Sequence, residues 1–129
     1  MTQRFPSPSG GQALLFETSE DWRAWLAAHH ANTTEAWLVT FKKGSGRISL
    51  SYEDALDEAT CFGWVDGIVR GAAADHYLQR WVPRRARSNW SPGNRARARR
   101  LAAEGRMTAP GAAALPQDLR VELGLDHGG

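Results

Sequence analysis

Cys61-Phe62-Gly63-Trp64-Val65-Asp66-Gly67 is the stretch on which the fold turns. Upstream of it, Tyr52, Ala55, Leu56, Ala59 and Phe62 recur at helical spacing. Ser51 stands where an N-cap belongs, and Glu53 and Asp54 suit the positive end of the helix dipole. Gly63 can take the left-handed conformation that ends a helix, so the helix stops there. Trp64 to Arg70 then reads as a strand, with Trp64 and Asp66 on one face because they are two residues apart. Asp54, Asp57, Glu58 and Cys61, at spacings of three and four, share the face of the helix adjoining its apolar stripe.

Working outward, Leu14-Leu15-Phe16-Glu17 reads as a short strand. Ser19 is expected to cap a helix running to about His30, with Trp22, Trp25, Leu26 and His29 on one stripe. Asn32-Thr33-Thr34 breaks that helix. Trp37, Val39 and Phe41 alternate within Glu35 to Lys42, which is strand periodicity, and Lys43-Gly44-Ser45-Gly46 is a turn. Downstream, His76 to Val82 is a strand closed by Pro83, which cannot donate to a ladder. Arg84 to Ser91 is a polar loop. Ser91 caps a third helix, Pro92 opens it and Gly105 ends it. A short helix is expected from about Thr108 to Leu115, and Leu119 to Gly129 reads as frayed. The sum is an α+β domain with a mainly antiparallel sheet of about four strands and helices packed on one face. Residues 1–11 read as a flexible leader, 12–115 as the domain, and 116–129 as a shortened C-terminal segment.

A chain of 129 residues with 42% apolar and 23% charged residues suits one hydrophobic core and argues against wholesale disorder. No run of about eighteen apolar residues is present, so no membrane span is expected. The first eleven residues lack the apolar centre of a secretory signal, and a lone cysteine, Cys61, fits a reducing compartment. The expected location is the cytoplasm. Charge is unevenly distributed. Residues 80–106 hold nine arginines against one acid, Glu104, whereas residues 1–79 carry a net −4. Such asymmetry points to an anionic partner, to an acidic surface of the same fold, or to a solvated helix face.

Metal and cofactor signatures are missing. His29 and His30 are neighbours and diverge on a helix, while His76 and His127 have no ligand partners at recognised spacing. No Ser/His/Asp pattern or glycine-rich phosphate loop occurs, and Gly44-Ser45-Gly46 is explained by a turn. Cys61 lies beside Glu58, whose carboxylate would raise a thiol's pKa, so a buried inert thiol is expected.

The Cys61–Gly67 run resembles the signature of the YdeI/OmpD-associated (bacteriocin-protection) family. So do Lys42-Lys43-Gly44-Ser45-Gly46, Pro83-Arg84-Arg85, Arg87-Ser88-Asn89-Trp90-Ser91, Asn94 with Arg97, and Gly105-Arg106-Met107-Thr108. The resemblance covers about Phe16 to Gly111. It implies a YjbR/CyaY-like α+β fold, the class that the element pattern reaches by itself. Members of that family continue into a helical segment rich in Arg, Lys and Trp, of which Leu115 to Leu123 resembles the opening.

The blocks of resemblance place Trp64, Asp66, Arg84, Arg87, Trp90, Asn94 and Arg97 at loops and element ends. Tryptophan offers a flat apolar face, and arginine offers a planar fork for carboxylate or phosphate. One reading is a pocket with Trp64 and Trp90 as walls, Arg84, Arg87 and Arg97 as anion clamps, and Asp66 and Asn94 orienting a small anionic or amphipathic ligand. The structural alternative is that Asp66 pairs with an arginine while both tryptophans fill the core. An enzyme on the same pocket would use Asp66 or Glu58 as general base. Nucleic-acid binding through residues 80–106 is a third reading, with Trp81 and Trp90 stacking on bases. These alternatives, and the oligomeric state, stand open at this point.

Overall fold

Hydroxyl caps mark the helix starts. A computed structural model describes residues 4–71, 73–85 and 88–125. Its elements are α1 (Ser19–His29), β1 (Ala36–Phe41), α2 (Tyr52–Cys61), β2 (Trp64–Gly71), β3 (His76–Pro83), α3 (Pro92–Ala103), α4 (Ala109–Ala114) and α5 (Gln117–Glu122). The Oγ atoms of Ser51 and Ser91 accept from the amides of Asp54 and Asn94 at 3.1 and 3.0 Å. At α1 the cap is Thr18 rather than Ser19, because Thr18 Oγ1 accepts from Asp21 N at 3.2 Å. Gly63 and Gly105 end α2 and α3 with φ of +77° and +72°, which an L side chain would resist.

The fold is α+β with a three-stranded antiparallel sheet in the order β1-β3-β2. A register shift between Asp66 and Val69 bends β2 across its middle. The expected count was about four strands. The stretch from Leu14 contributes one parallel bridge to Leu38 and then leaves the sheet, since the Phe16 carbonyl accepts from Leu50 N at 2.9 Å.

Alternation along β1 creates two apolar layers. Ala36 and Leu38 face the helices, where Trp22, Leu26, Ala55, Leu56, Ala59, Phe62, Trp64 and Trp81 form the main core. Trp37, Val39 and Phe41 face the other way and are covered by Phe5 and Ala13 with Leu78. Within the stretch expected to be a leader, Phe5 is therefore buried. Its amide donates to Gln12 Oε1 at 2.9 Å and its carbonyl accepts from Ala13 N at 2.6 Å.

A third cluster, Ala98, Leu115 and Leu119, joins α3 to α4 and α5. Leu119, within the end expected to fray, is fully buried because α5 folds back on α3. Residues 126–129 of that expected segment lie outside the described residues. Among the described residues no helix is long and apolar enough to cross a membrane.

Candidate functional site

The Gly63 junction is a docking point for α4. The carbonyl of Cys61, at the end of α2, accepts from both Thr108 N at 3.1 Å and Thr108 Oγ1 at 2.5 Å. Thr108 also caps α4. A Cβ on Gly63 would lie 2.9 Å from Pro110 O and 3.0 Å from Ala114 Cβ, so glycine there admits α4 as well as ending α2. Gly63 O accepts from Arg84 N at 2.8 Å, which lays the exit of β3 over the same junction.

Between that exit and the α4–α5 turn lies an open groove of about 640 Å³. Arg84, Arg85, Trp90, Pro110, Leu115 and Arg120 are among its lining residues, and among the described residues no Asp or Glu lines it. The Arg84 guanidinium stacks on Trp90, 3.7 Å from the ring centroid. Its Nη1 donates to Ser88 Oγ at 3.1 Å, while Nε is buried without a hydrogen-bond partner among the described residues. Burial pushes the Arg84 pKa down, with the nearby Asp66 charge opposing. Among the described residues Arg84 has no carboxylate partner within ion-pair distance. Arg120 Nη1 donates to Leu115 O at 2.8 Å and Ala113 O at 3.2 Å, bracing the turn that forms the other wall. Trp90 packs against the cluster of Ala98, Leu115 and Leu119, so both walls rest on one small core.

The expected site residues do not all meet there. Arg84 and Trp90 do. Trp64 is 1% exposed and fills the main core, edge-on to Trp25 at 6.0 Å. It is inward because the strand begins directly beneath the α2 terminus. Arg97 faces α2 and is paired with both Asp57 and Glu53. Asn94, on the first turn of α3, is half-buried and donates its amide to the Ser91 cap. Arg87 lies outside the described residues. Asp66 sits on β2 opposite Trp81; burial together with the Asp66 carboxylate pushes Tyr52 up to about 12. Glu58 is buried and held by Arg23 at 3.1 Å and Arg106 at 2.5 Å. Cys61 is fully buried, and that burial pushes its thiol pKa up.

The arginine-rich run is largely paired within the fold. Arg80 bonds Glu35, Arg95 bonds Asp118, Arg97 and Arg100 share Asp57, Arg99 bonds Glu122, and Arg106 bonds Glu58. Among the described residues no group of three or more His, Cys, Asp or Glu could hold a metal ion.

Sequence reasoning missed Pro110, Leu115 and Arg120 as groove residues. A weak signal was present: Gly111 to Ala114 is a run of small residues, which permits close approach of another backbone.

Among curated proteins and among solved structures, nothing matches this chain. A family model described as "Domain of unknown function (DUF8412)" matches residues 14–114, a span that contains the sheet, α1 to α3 and the Gly63–α4 docking point. The chain belongs to the DUF8412 family.

Proposed function

We propose that the domain is a binding module for a small anionic or amphipathic molecule, held in the groove between the 84–90 segment and the α4–α5 turn. One observation carries this reading: the Arg84 guanidinium is stacked on Trp90, partly desolvated and without a carboxylate partner among the described residues. A fork fixed in this way recognises a carboxylate or phosphate at low entropic cost. Arg85 and Arg120 add positive potential, and Pro110 with Leu115 supplies an apolar shelf for the rest of the ligand.

The enzymatic alternative needs a carboxylate within reach of the bound molecule. Against it, no acid among the described residues lines the groove, and Glu58 is occupied by two arginines. Nucleic-acid binding through residues 80–106 is weakened in the same way, since six of the nine arginines are paired with acids of the same chain. A cytoplasmic setting and the likeness to the YdeI/OmpD-associated proteins belong to the same proposal. Protection against an antimicrobial compound is one use to which such a groove could be put.

Native mass spectrometry of freshly purified protein, with benzoate titration as a defined probe, tests it. The expected result is a retained small molecule, or saturable benzoate binding, that Arg84→Gln abolishes. Equal retention and equal benzoate affinity in wild type and Arg84→Gln would overturn the proposal, as would no binding of either kind.

A further inference from the structure

The β2–β3 hairpin has a second groove at its far end. Trp64 pairs with Pro83 near the Arg84 groove, while Gly71 pairs with Tyr77 at the other end. Seven residues of strand separate the two, roughly 23 Å. The second groove, of about 460 Å³, is lined by Arg4, Phe5, Pro8, Arg70, His76 and Leu78 among others, and among the described residues by no Asp or Glu.

His76 is its centre. The side chain is 10% exposed, and its Nδ1 lies 2.7 Å from Asp75 Oδ1. Phe5 and Phe41 meet the imidazole edge-on at 5.1 and 5.9 Å, so the ring plane is held by packing as well as by the carboxylate. With Nδ1 committed to Asp75, Nε2 is the ring nitrogen left for the groove, and it donates when the ring is protonated. The charged groups around this imidazole are Asp75, Arg47, Arg4 and Arg70, with Arg47 placed 3.7 Å from the other Asp75 oxygen. Neither Arg4 nor Arg70 has a carboxylate partner among the described residues; Arg70 Nη1 reaches the Val69 carbonyl at 3.4 Å. The contrast with the paired arginines of residues 80–106 is direct. These two carry charge that no described carboxylate neutralises.

We propose that this groove is a second binding site, for a phosphate monoester, with the oxyanion held by Arg4, Arg70 and His76. It stands independently of the Arg84 groove. A carboxylate is planar and is satisfied by one guanidinium fork, whereas two guanidiniums from separate segments plus an imidazole nitrogen suit a tetrahedral oxyanion. The Phe5 ring with Pro6 and Pro8 forms the apolar wall along which the esterified group lies.

The test is an amide-resolved NMR titration with inorganic phosphate, phenyl phosphate and acetate at matched ionic strength. Phosphate and phenyl phosphate are expected to shift the amides of Gly71, His76 and Leu78 saturably, and acetate is not. Arg70→Gln, an exposed change that leaves packing intact, and His76→Gln are each expected to weaken phosphate at least about tenfold, the loss of one charge-assisted hydrogen bond. Arg84→Gln is expected to leave it unchanged. Four results would overturn the site: equal shifts with acetate, unaltered affinity in Arg70→Gln, shifts confined to the Arg84 groove, or no shifts at all.

Discussion

Gly111→Ala separates packing from helix propensity at the point where α4 docks. Propensity alone favours alanine over glycine inside a helix by about 1 kcal/mol. The structure reverses that sign. A Cβ on Gly111 would intrude on the Cys61 carbonyl, 2.5 Å from its carbon and 2.7 Å from Met107 Sδ. The Cys61 atoms are backbone, so no side-chain rotation relieves the clash; α4 must retreat by about 1 Å to restore ordinary carbon contacts. Retreat breaks the two hydrogen bonds from Thr108 to Cys61 O, each worth about 1 kcal/mol net, and loosens the packing around them at a cost of about 1–2 kcal/mol. Set against the propensity gain, the expected loss is about 2–3 kcal/mol. Gly93→Ala is the matched control. It also lies in a helix, and its Cβ would meet only Ser91 Oγ, at 3.9 Å. Urea unfolding followed by tryptophan fluorescence should lower the midpoint by about 1 M for Gly111→Ala and leave it unchanged or raised for Gly93→Ala. A Gly111→Ala midpoint at or above wild type would refute the reasoning.

Trp22 and Trp81 are equally buried, but Trp22 Nε1 donates to Ala55 O at 3.0 Å while Trp81 Nε1 has no partner among the described residues. Trp81→Phe should therefore cost about 1–2 kcal/mol less than Trp22→Phe in the same unfolding assay. Glu58→Gln leaves Arg23 and Arg106 facing a neutral group; because they are 35% and 33% exposed, the expected cost is about 2–3 kcal/mol, below that of a fully buried pair. Asp118 and Glu122 have pKa values lowered by their bonds to Arg95 and Arg99, so their contribution is present above the ordinary values of 3.8 and 4.5 and is lost as pH falls below them. Hydrogen exchange at Leu119 and Leu123 should accordingly quicken below about pH 4.5, relative to the main core, once intrinsic rates are corrected. Cys61 should resist alkylation in the native protein and react at once on denaturation; rapid labelling of folded protein would contradict its burial.

Helix boundaries were legible because their signals are local. Ser51, Ser91, Pro92, Gly63 and Gly105 act within a few residues of themselves, and each does what its chemistry directs. The sheet was legible less fully. Leu14 to Glu17 has strand composition, but whether it pairs depends on the competition of Leu50, distant in sequence, for the Phe16 carbonyl. Phe5 and Leu119 were read as parts of loose ends, since the layers that bury them form only when distant segments meet. The site suffered most from this. Trp64 and Trp90 are alike as residue types; Trp64 fills the core because its strand starts beneath α2 and α1, whereas Trp90 lines a groove because it meets the Leu115–Leu119 cluster. Arg84 and Arg97 likewise differ by what lies opposite them: Arg97 finds Asp57, 40 residues away, and Arg84 finds an aromatic ring.

The shared carboxylates on α2 have a mechanical consequence. Arg97 divides its guanidinium between Glu53 and Asp57, one helical turn apart, and Asp57 also receives Arg100. A planar fork has fixed tooth spacing, so it works as a gauge: α3 can sit at only one height along α2. Leu101, fully buried in the main core, fixes the depth of α3 while the fork fixes its height. Lysines at these positions would keep the charge and lose the gauge. The lateral placement of α3, and of the Trp90 segment that leads into it, is thus set by ionic register together with the burial of Leu101.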